Sequence, residues 1–409
     1  MRNKTYRILA DGHTVSNDTW ETGLNNNDLI IGPSGAGKTR GYVIPNILKC
    51  RGQSLIVTDT KGSLREQTEA ALIQAGYKII NIDFTDCGNS YGWNPLDGVR
   101  YDRGRDKYRE QDILTIAAVL APVESTHDPF WDLSARMVLE SLIAYTLECL
   151  PKEEHTLNSV YRIFREMGNQ RFRRLFQELS ELDPDSFAVS RYDLYRTNVR
   201  AEKMFESIKG VLGEKLSPLM FDGAGKMYSA GRRMDFSKIS HELTAVFVNV
   251  SDTDRSLDRL VGLFFYQALH ELCNTADKSP GHRLDIPVRL IIDDFAAGTV
   301  IPDFDSILSV IRSREIYVSI ILQSISQLES LYGHTKATTI MNNCDHLIYL
   351  GGQDAETARY IGTKAGKSAG GILSMPLGSA WIFERGNQPR QVQKYCHEDR
   401  EEYLPFPSL

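Results

Sequence analysis

The chain has 409 residues, 42% hydrophobic and 24% charged, with a formal net charge of −6. This fits one large globular domain with an insertion, or two domains, and excludes a disordered or fibrous chain. The mildly acidic balance gives no general attraction to nucleic acid, so any polyanion site must be local. Six scattered cysteines without a C-x-x-C pair argue for a reducing compartment and against a disulfide framework. No apolar run approaches the roughly 18–20 residues that span a bilayer, and residues 1–27 lack the apolar centre of a secretory signal. The chain therefore reads as soluble and cytosolic.

Taken in order, residues 1–27 read as a strand or two within loop. Asp28-Leu29-Ile30-Ile31 reads as a short buried strand. It runs into Gly32-Pro33-Ser34-Gly35-Ala36-Gly37-Lys38-Thr39, which fits G-x-x-x-x-G-K-[ST]. The glycines let the backbone wrap a polyphosphate with its N–H groups turned inward. A helix from Thr39 through Val43, Ile44, Ile47 and Leu48 follows, with Pro45 placing a possible kink in its second turn. In this pattern Lys38 reaches the β- and γ-phosphates and Thr39 holds Mg²⁺. Strand, loop and helix together predict a nucleoside triphosphate site.

Ser54–Asp59 reads as an apolar strand ending on an acid, and a helix follows from about Leu64 to Gln74. Asp59 is a candidate nucleotide neighbour, with a helix N-cap as the alternative reading. Residues 78–84 form another β-branched strand. This alternation predicts a parallel α/β sheet. From about Tyr101 to Arg233 the chain is charged and helical. Its strongest helix, Trp131 to Leu150, is apolar on nearly every face, including Leu133, and should be a buried centre. Further helices are predicted at residues 160–166, 172–182 and 199–212. The sheet resumes at residues 243–250, and a helix follows from about Arg255 to Asn274.

Val288-Arg289-Leu290-Ile291-Ile292-Asp293-Asp294-Phe295 is a hydrophobic strand ending in two acids. After a phosphate loop this is a second nucleotide signature. Asp293 would coordinate Mg²⁺, and Asp294 would orient or deprotonate the attacking water. A helix from about Phe304 to Arg312 follows, then a strand over residues 317–322 ending in Gln323-Ser324. Gln323, one strand from the acids, is placed to sense the γ-phosphate. A strand at residues 346–352, a helix at 355–362 and a last strand at 380–383 complete the pattern. The domain expectation is 1–100 and 236–409 for the nucleotide-binding unit, with an all-helical domain inserted at 101–235.

These landmarks together resemble one family: the coupling proteins of type IV secretion, the TraG-type conjugative DNA-transfer ATPases. They are the phosphate loop with Val43-Ile44-Pro45-Asn46 after it, Asp59-Thr60-Lys61-Gly62, Asn94-Pro95-Leu96, and Phe130-Trp131 followed by Ala135. They continue with Ile291 to Phe295, Ile311-Arg312-Ser313-Arg314, Leu322-Gln323-Ser324, and Asn343 with Gly351-Gly352. The resemblance implies a RecA-like P-loop NTPase core interrupted by an all-helical domain, ATP and Mg²⁺ as cofactors, and six subunits with nucleotide between neighbours. It implies DNA cargo, single-stranded and relaxase-bound, relaxosome proteins as partners, and a secretion channel at the cytoplasmic face of the membrane. It makes Arg312 a candidate to touch a neighbour's γ-phosphate, with a solvated helix-end cation as the alternative.

Two departures stand out. The family usually carries Asp-Glu where this chain has Asp293-Asp294. Most members also begin with membrane helices, for which there is no room before Gly32, so attachment is expected through a partner or a segment outside this sequence. DNA contact would come from local basic stretches, Arg232-Arg233 or Arg162 to Arg174, each otherwise an ordinary solvated helix face. Two other functions fit the same core: a nucleotide-gated substrate-docking adaptor with little hydrolysis, and a double-stranded DNA translocase.

Overall fold

The computed structural model describes residues 5–125, 127–199, 202–295 and 300–396. It divides into two compact units. The first comprises residues 1–81, 235–253 and 268–409, and the second 82–234 and 254–267.

The first unit is built on a nine-stranded sheet. Its N-terminal hairpin pairs β1 (Tyr6–Ala10) with β2 (His13–Ser16). The sheet itself contains β3 (Asp28–Ile31), β4 (Ser54–Asp59) and β5 (Lys78–Asp83). A two-residue pair, β6 (Tyr101–Asp102) and β7 (Lys107–Tyr108), lies in the second unit. The sheet then takes β8 (Thr244–Asn249), β9 (Val288–Ile292), β10 (Ile316–Leu322), β11 (His346–Tyr349), β12 (Ser379–Glu384) and β13 (Arg390–Gln393). Strand order is β13-β12-β11-β3-β10-β9-β4-β8-β5. The run from β11 through β3, β10, β9 and β4 to β8 is parallel, and β12 and β13 add on antiparallel. The parallel strands bury every residue, as sequences read as continuous apolar runs require. One face packs Ile30, Leu55, Val57, Phe247, Ile291 and Ile321 against Tyr42, Val43, Ile44, Ile47, Leu64 and Leu72 of the helices after β3 and β4.

A buried ionic cluster fixes where β3 begins. Asp28, fully buried, accepts from Arg7 Nε at 2.7 Å and Nη2 at 2.9 Å, and also from Tyr42 and Arg289. His346 Nδ1 lies 3.2 Å away. Burial alone would push this carboxyl up, but Arg7, His346 and Arg289 hold it well below the usual carboxylate range. Arg7 comes from β1 and Arg289 from β9, so one carboxylate joins the hairpin, the loop-bearing strand and the acid-bearing strand. Asn46 adds a second tie, exchanging hydrogen bonds with the backbone of Ile8.

Among its described residues the second unit is mostly helical, with β6, β7 and the last two residues of β5 as its strand segments. Its central helix, Phe130–Cys149, is surrounded by helices at Glu110–Leu120, Leu157–Arg165, Phe187–Asn198 and Glu202–Leu216. Asp128 opens it, accepting from the Phe130 backbone and the Trp131 indole. Within it Glu140 is buried and takes Arg191 Nε at 2.6 Å. Leu133, expected inside, is 39% exposed on the helix's outer side. The expected boundary at residue 100 falls inside this unit, because Phe84, Trp93 and Phe264 form an edge-to-face aromatic cluster. Asn94 of the Asn-Pro-Leu landmark is fully buried, donating to His155 O and accepting from Leu157 N at the start of a helix.

Four further elements differ from expectation. The helix after the phosphate loop opens as a π-turn over Thr39–Val43 and becomes α-helical at Ile44–Leu48, with Pro45 in the second turn of the continuous run, immediately after the π-turn. The helix at Phe304 stops at Leu308, and Arg312–Arg314 form a separate 3₁₀ turn closed by Glu315 in a left-handed conformation. Ile325–Asn342 is helical across a break at Gly333, whose φ of 73° hides any continuous periodicity. β13 extends the sheet beyond the expected last strand.

Candidate nucleotide-binding site

The site residues gather at the carboxyl ends of adjacent parallel strands, where open α/β sheets place their ligands. β3 ends at Ile31, and its register brings Leu322 of β10 level with it. β10 in turn aligns Ile320 with Ile292 of β9. The phosphate loop, Gln323 and the two acids are therefore consecutive along one sheet edge.

The loop is shaped by its glycines. Gly32 packs so close that a Cβ would lie 2.9 Å from Leu350 Cβ and 3.0 Å from Ala36 Cβ. Gly35 and Gly37 take φ values of 76° and 90°, the left-handed region that only glycine enters freely. Pro33 accepts from Ala36 N, closing the turn, while Pro33 and Ser34 are exposed at its tip. Lys38 is buried, its Nζ donating to Gly32 O at 2.8 Å and Pro33 O at 3.1 Å. Among the described residues no ion pair satisfies this ammonium.

Thr39 donates its hydroxyl to Asp293 Oδ2 at 2.9 Å, joining the loop to β9 across the end of β10. Asp293 Oδ1 accepts from Asp294 N at 3.0 Å. Burial, and then the neighbouring Asp294 charge, push the Asp293 carboxyl up, while Thr39 and Lys38 oppose the shift. Asp294 sits at φ 50°, a left-handed conformation that Asp tolerates better than most residues. Gln323 is exposed at the end of β10, and Ser324 beside it caps the next helix by accepting from Gln327 N.

Asp59 is buried at the end of β4, with Oδ1 accepting from Lys61 N and Oδ2 from Arg65 N. Both oxygens accept from the turn that leads into the Ser63–Gln74 helix, whose N-cap is Gly62. Arg312 is exposed and donates to Gly23 O at 2.9 Å and Thr19 O at 3.5 Å, which anchors the N-terminal segment. Of the basic stretches, Arg233 pairs with Asp97 and Arg162 with Glu154.

Two residues at the edge carried no sequence signal. The Thr58 hydroxyl accepts from Asp293 N at 2.6 Å and donates to Asp293 O at 3.0 Å, fixing the turn that aims the acids. Lys394, just after β13, donates to Ala36 O at 3.3 Å.

The fold, with its phosphate-loop motif at this edge, is of the RecA-like P-loop NTPase class. The chain belongs to the family described as type IV secretory system conjugative DNA transfer, which matches residues 1–371. It is 25% identical over 389 residues to the protein VirD4 of Rhizobium rhizogenes, covering 94% of this chain and 55% of that one. It is 25% identical over 364 residues to VirD4 of Agrobacterium fabrum, covering 88% and 52%. The chain thus spans about half the length of these curated relatives. Its fold is similar to the bacterial conjugative coupling protein TrwBdeltaN70, with a TM-score of 0.69 at 16% identity over 96% of this chain and 89% of that one. It is also similar to plasmid coupling protein TrwB in complex with ADP and Mg²⁺, with a TM-score of 0.68 at 15% identity over 91% and 86%. Among the described residues no helix is long and apolar enough to cross a membrane.

Proposed function

We propose that this chain is the motor portion of a conjugative coupling ATPase, which binds ATP with Mg²⁺ and hydrolyses it to move DNA, or a relaxase–DNA conjugate, into a secretion channel. The observation that carries the reading is the Thr39–Asp293 hydrogen bond, which brings loop and acidic strand into one site. These two side chains offer a hydroxyl and a carboxylate, the hard oxygen donors Mg²⁺ prefers alongside phosphate and water. When bound, the ion supplies charge neutralisation at the β- and γ-phosphates.

The chain's own residues do the rest. The loop N–H groups cradle the phosphates, and Lys38 leaves its two carbonyl partners to meet them. Asp294 orients the water or takes its proton, and Gln323 reports the nucleotide state to the neighbouring helix. We extend to this chain the assembly that the resemblance implies, a hexamer at the cytoplasmic face of the membrane with relaxosome and channel partners.

Steady-state ATP hydrolysis, alone and with single- or double-stranded DNA, tests this, with Lys38→Ala as control. DNA-stimulated hydrolysis lost in the control supports the motor, and the preferred strand separates a coupling protein from a double-stranded DNA translocase. Tight ATP binding without hydrolysis, with or without DNA and a membrane-anchoring partner, would favour the docking adaptor.

A further inference from the structure

The edge of the phosphate loop holds a second cation. Lys394 follows β13 directly, and its Nζ donates to Ala36 O of the loop at 3.3 Å. Its backbone N donates to Gly378 O at 2.9 Å. The next residue approaches the helix after the loop so closely that a Cβ on Gly41 would lie 2.8 Å from Tyr395 O. Three contacts therefore fasten this segment at the loop and the strands beside it.

Lys394 is half-buried, and among the described residues no carboxylate pairs with it. Desolvation lowers its pKa, as expected for an ammonium drawn out of water without an anion to meet it. Three other lysines of this unit are paired: Lys78 meets Glu242 at 3.0 Å, Lys238 meets Asp235 at 3.1 Å, and Lys336 lies 3.7 Å from Asp305. A lone cation resting on a carbonyl of the phosphate loop repeats the situation of Lys38 on Gly32 and Pro33.

Sheet order says which end of a nucleotide it faces. From β3, the acids lie two strands away on one side, through β10 to β9, and Lys394 lies three strands away on the other, through β11 and β12 to β13. The Thr39–Asp293 contact marks the γ-phosphate end. A polyphosphate crossing the loop from that end brings its α-phosphate and ribose toward the β13 side.

We propose that Lys394 is a second nucleotide-binding cation, pairing with the α-phosphate of the bound nucleoside di- or triphosphate. This rests on reading the loop as a nucleotide site. An α-phosphate contact is present in ATP and ADP alike and does not change as the γ-phosphoryl leaves. It contributes uniform binding, so its loss raises KM and leaves kcat in place.

The test is calorimetric titration of ATP and ADP with Mg²⁺ into the wild type, Lys394→Met, Lys394→Arg and Lys38→Ala, with the unfolding midpoint of each measured without nucleotide. Lys394→Met should weaken both nucleotides by a similar factor, about tenfold for one charge-assisted contact. Lys394→Arg should restore most of the loss, and kcat should stay within about twofold of wild type. Wild-type affinity in Lys394→Met, with binding lost in Lys38→Ala, would overturn the assignment while leaving the loop reading intact. A loss for ATP alone would overturn the α-phosphate placement. A lowered midpoint that Lys394→Arg restores without restoring affinity would mark a purely structural lysine. No binding of either nucleotide by the wild type would remove the loop reading and this inference together.

Discussion

Asp294 offers the sharpest test of the proposed hydrolysis, because its backbone separates charge from shape. It sits at φ 50° and gives its N–H to Asp293 Oδ1 at 3.0 Å. Asp and Asn enter this left-handed region far more readily than longer side chains do. Asp294→Asn therefore keeps both the conformation and the backbone hydrogen bond and removes only the carboxylate. A positioned general base contributes about 10²–10⁴ in rate, or about 2.7–5.4 kcal/mol of barrier. We expect kcat to fall at least about 100-fold, with ATP affinity within about threefold and the unfolding midpoint within about 1 °C of wild type. Asp294→Glu keeps the charge but places a longer side chain on a left-handed backbone, at a cost on the order of 1 kcal/mol, about 2–4 °C in the midpoint. Its kcat should stay within about tenfold, since the carboxylate moves by only one methylene. Single-turnover hydrolysis at saturating ATP is the assay. Full activity in the Asn variant would refute the role given to Asp294. The same backbone gives a physical reason for an Asp at this position.

Two further predictions concern the frame around the site. Asp28→Asn leaves Arg7 and Arg289 buried without their shared carboxylate; breaking such a cluster costs about 3–5 kcal/mol, or roughly 10 °C in a unit of this size, read by calorimetry. The native Asp28 pKa is depressed, so its stabilisation is complete above the unfolded value of about 3.9 and is lost only as pH falls below it toward the folded value; the Asn variant should lack that part of the acid transition. A midpoint change under about 2 °C would mean that the cluster contributes little. Arg312→Ala removes exposed bonds to Gly23 O and Thr19 O, and should cost about 1 kcal/mol while hydrolysis stays within about tenfold. A loss of about 10³ or more under assembly conditions would show Arg312 acting as an arginine finger rather than as an anchor.

What could be read from the sequence was what is written locally. β3, β4, β9 and β10 announce themselves as apolar, β-branched runs because both faces of a parallel sheet are buried. The loop and the two acids follow directly from strand ends, so their chemistry needed only neighbouring residues. β13 escaped because its four residues, Arg390–Gln393, are mostly exposed and polar, as an edge strand can be. The Ile325–Asn342 helix escaped because Gly333 interrupts it. Arg312 is singled out by the resemblance alone, and its bonds to Gly23 O and Thr19 O, 289 and 293 residues away, are encoded in no residue pattern. The Lys394 contact is likewise set by topology rather than by a local pattern. Lys394 lies 358 positions from Ala36 and reaches the loop because β12 pairs antiparallel with β11 and β13 antiparallel with β12, which returns the end of β13 to the loop's edge. The loop and the acids are thus written in local motifs, whereas the Lys394 contact with the loop is made by topology.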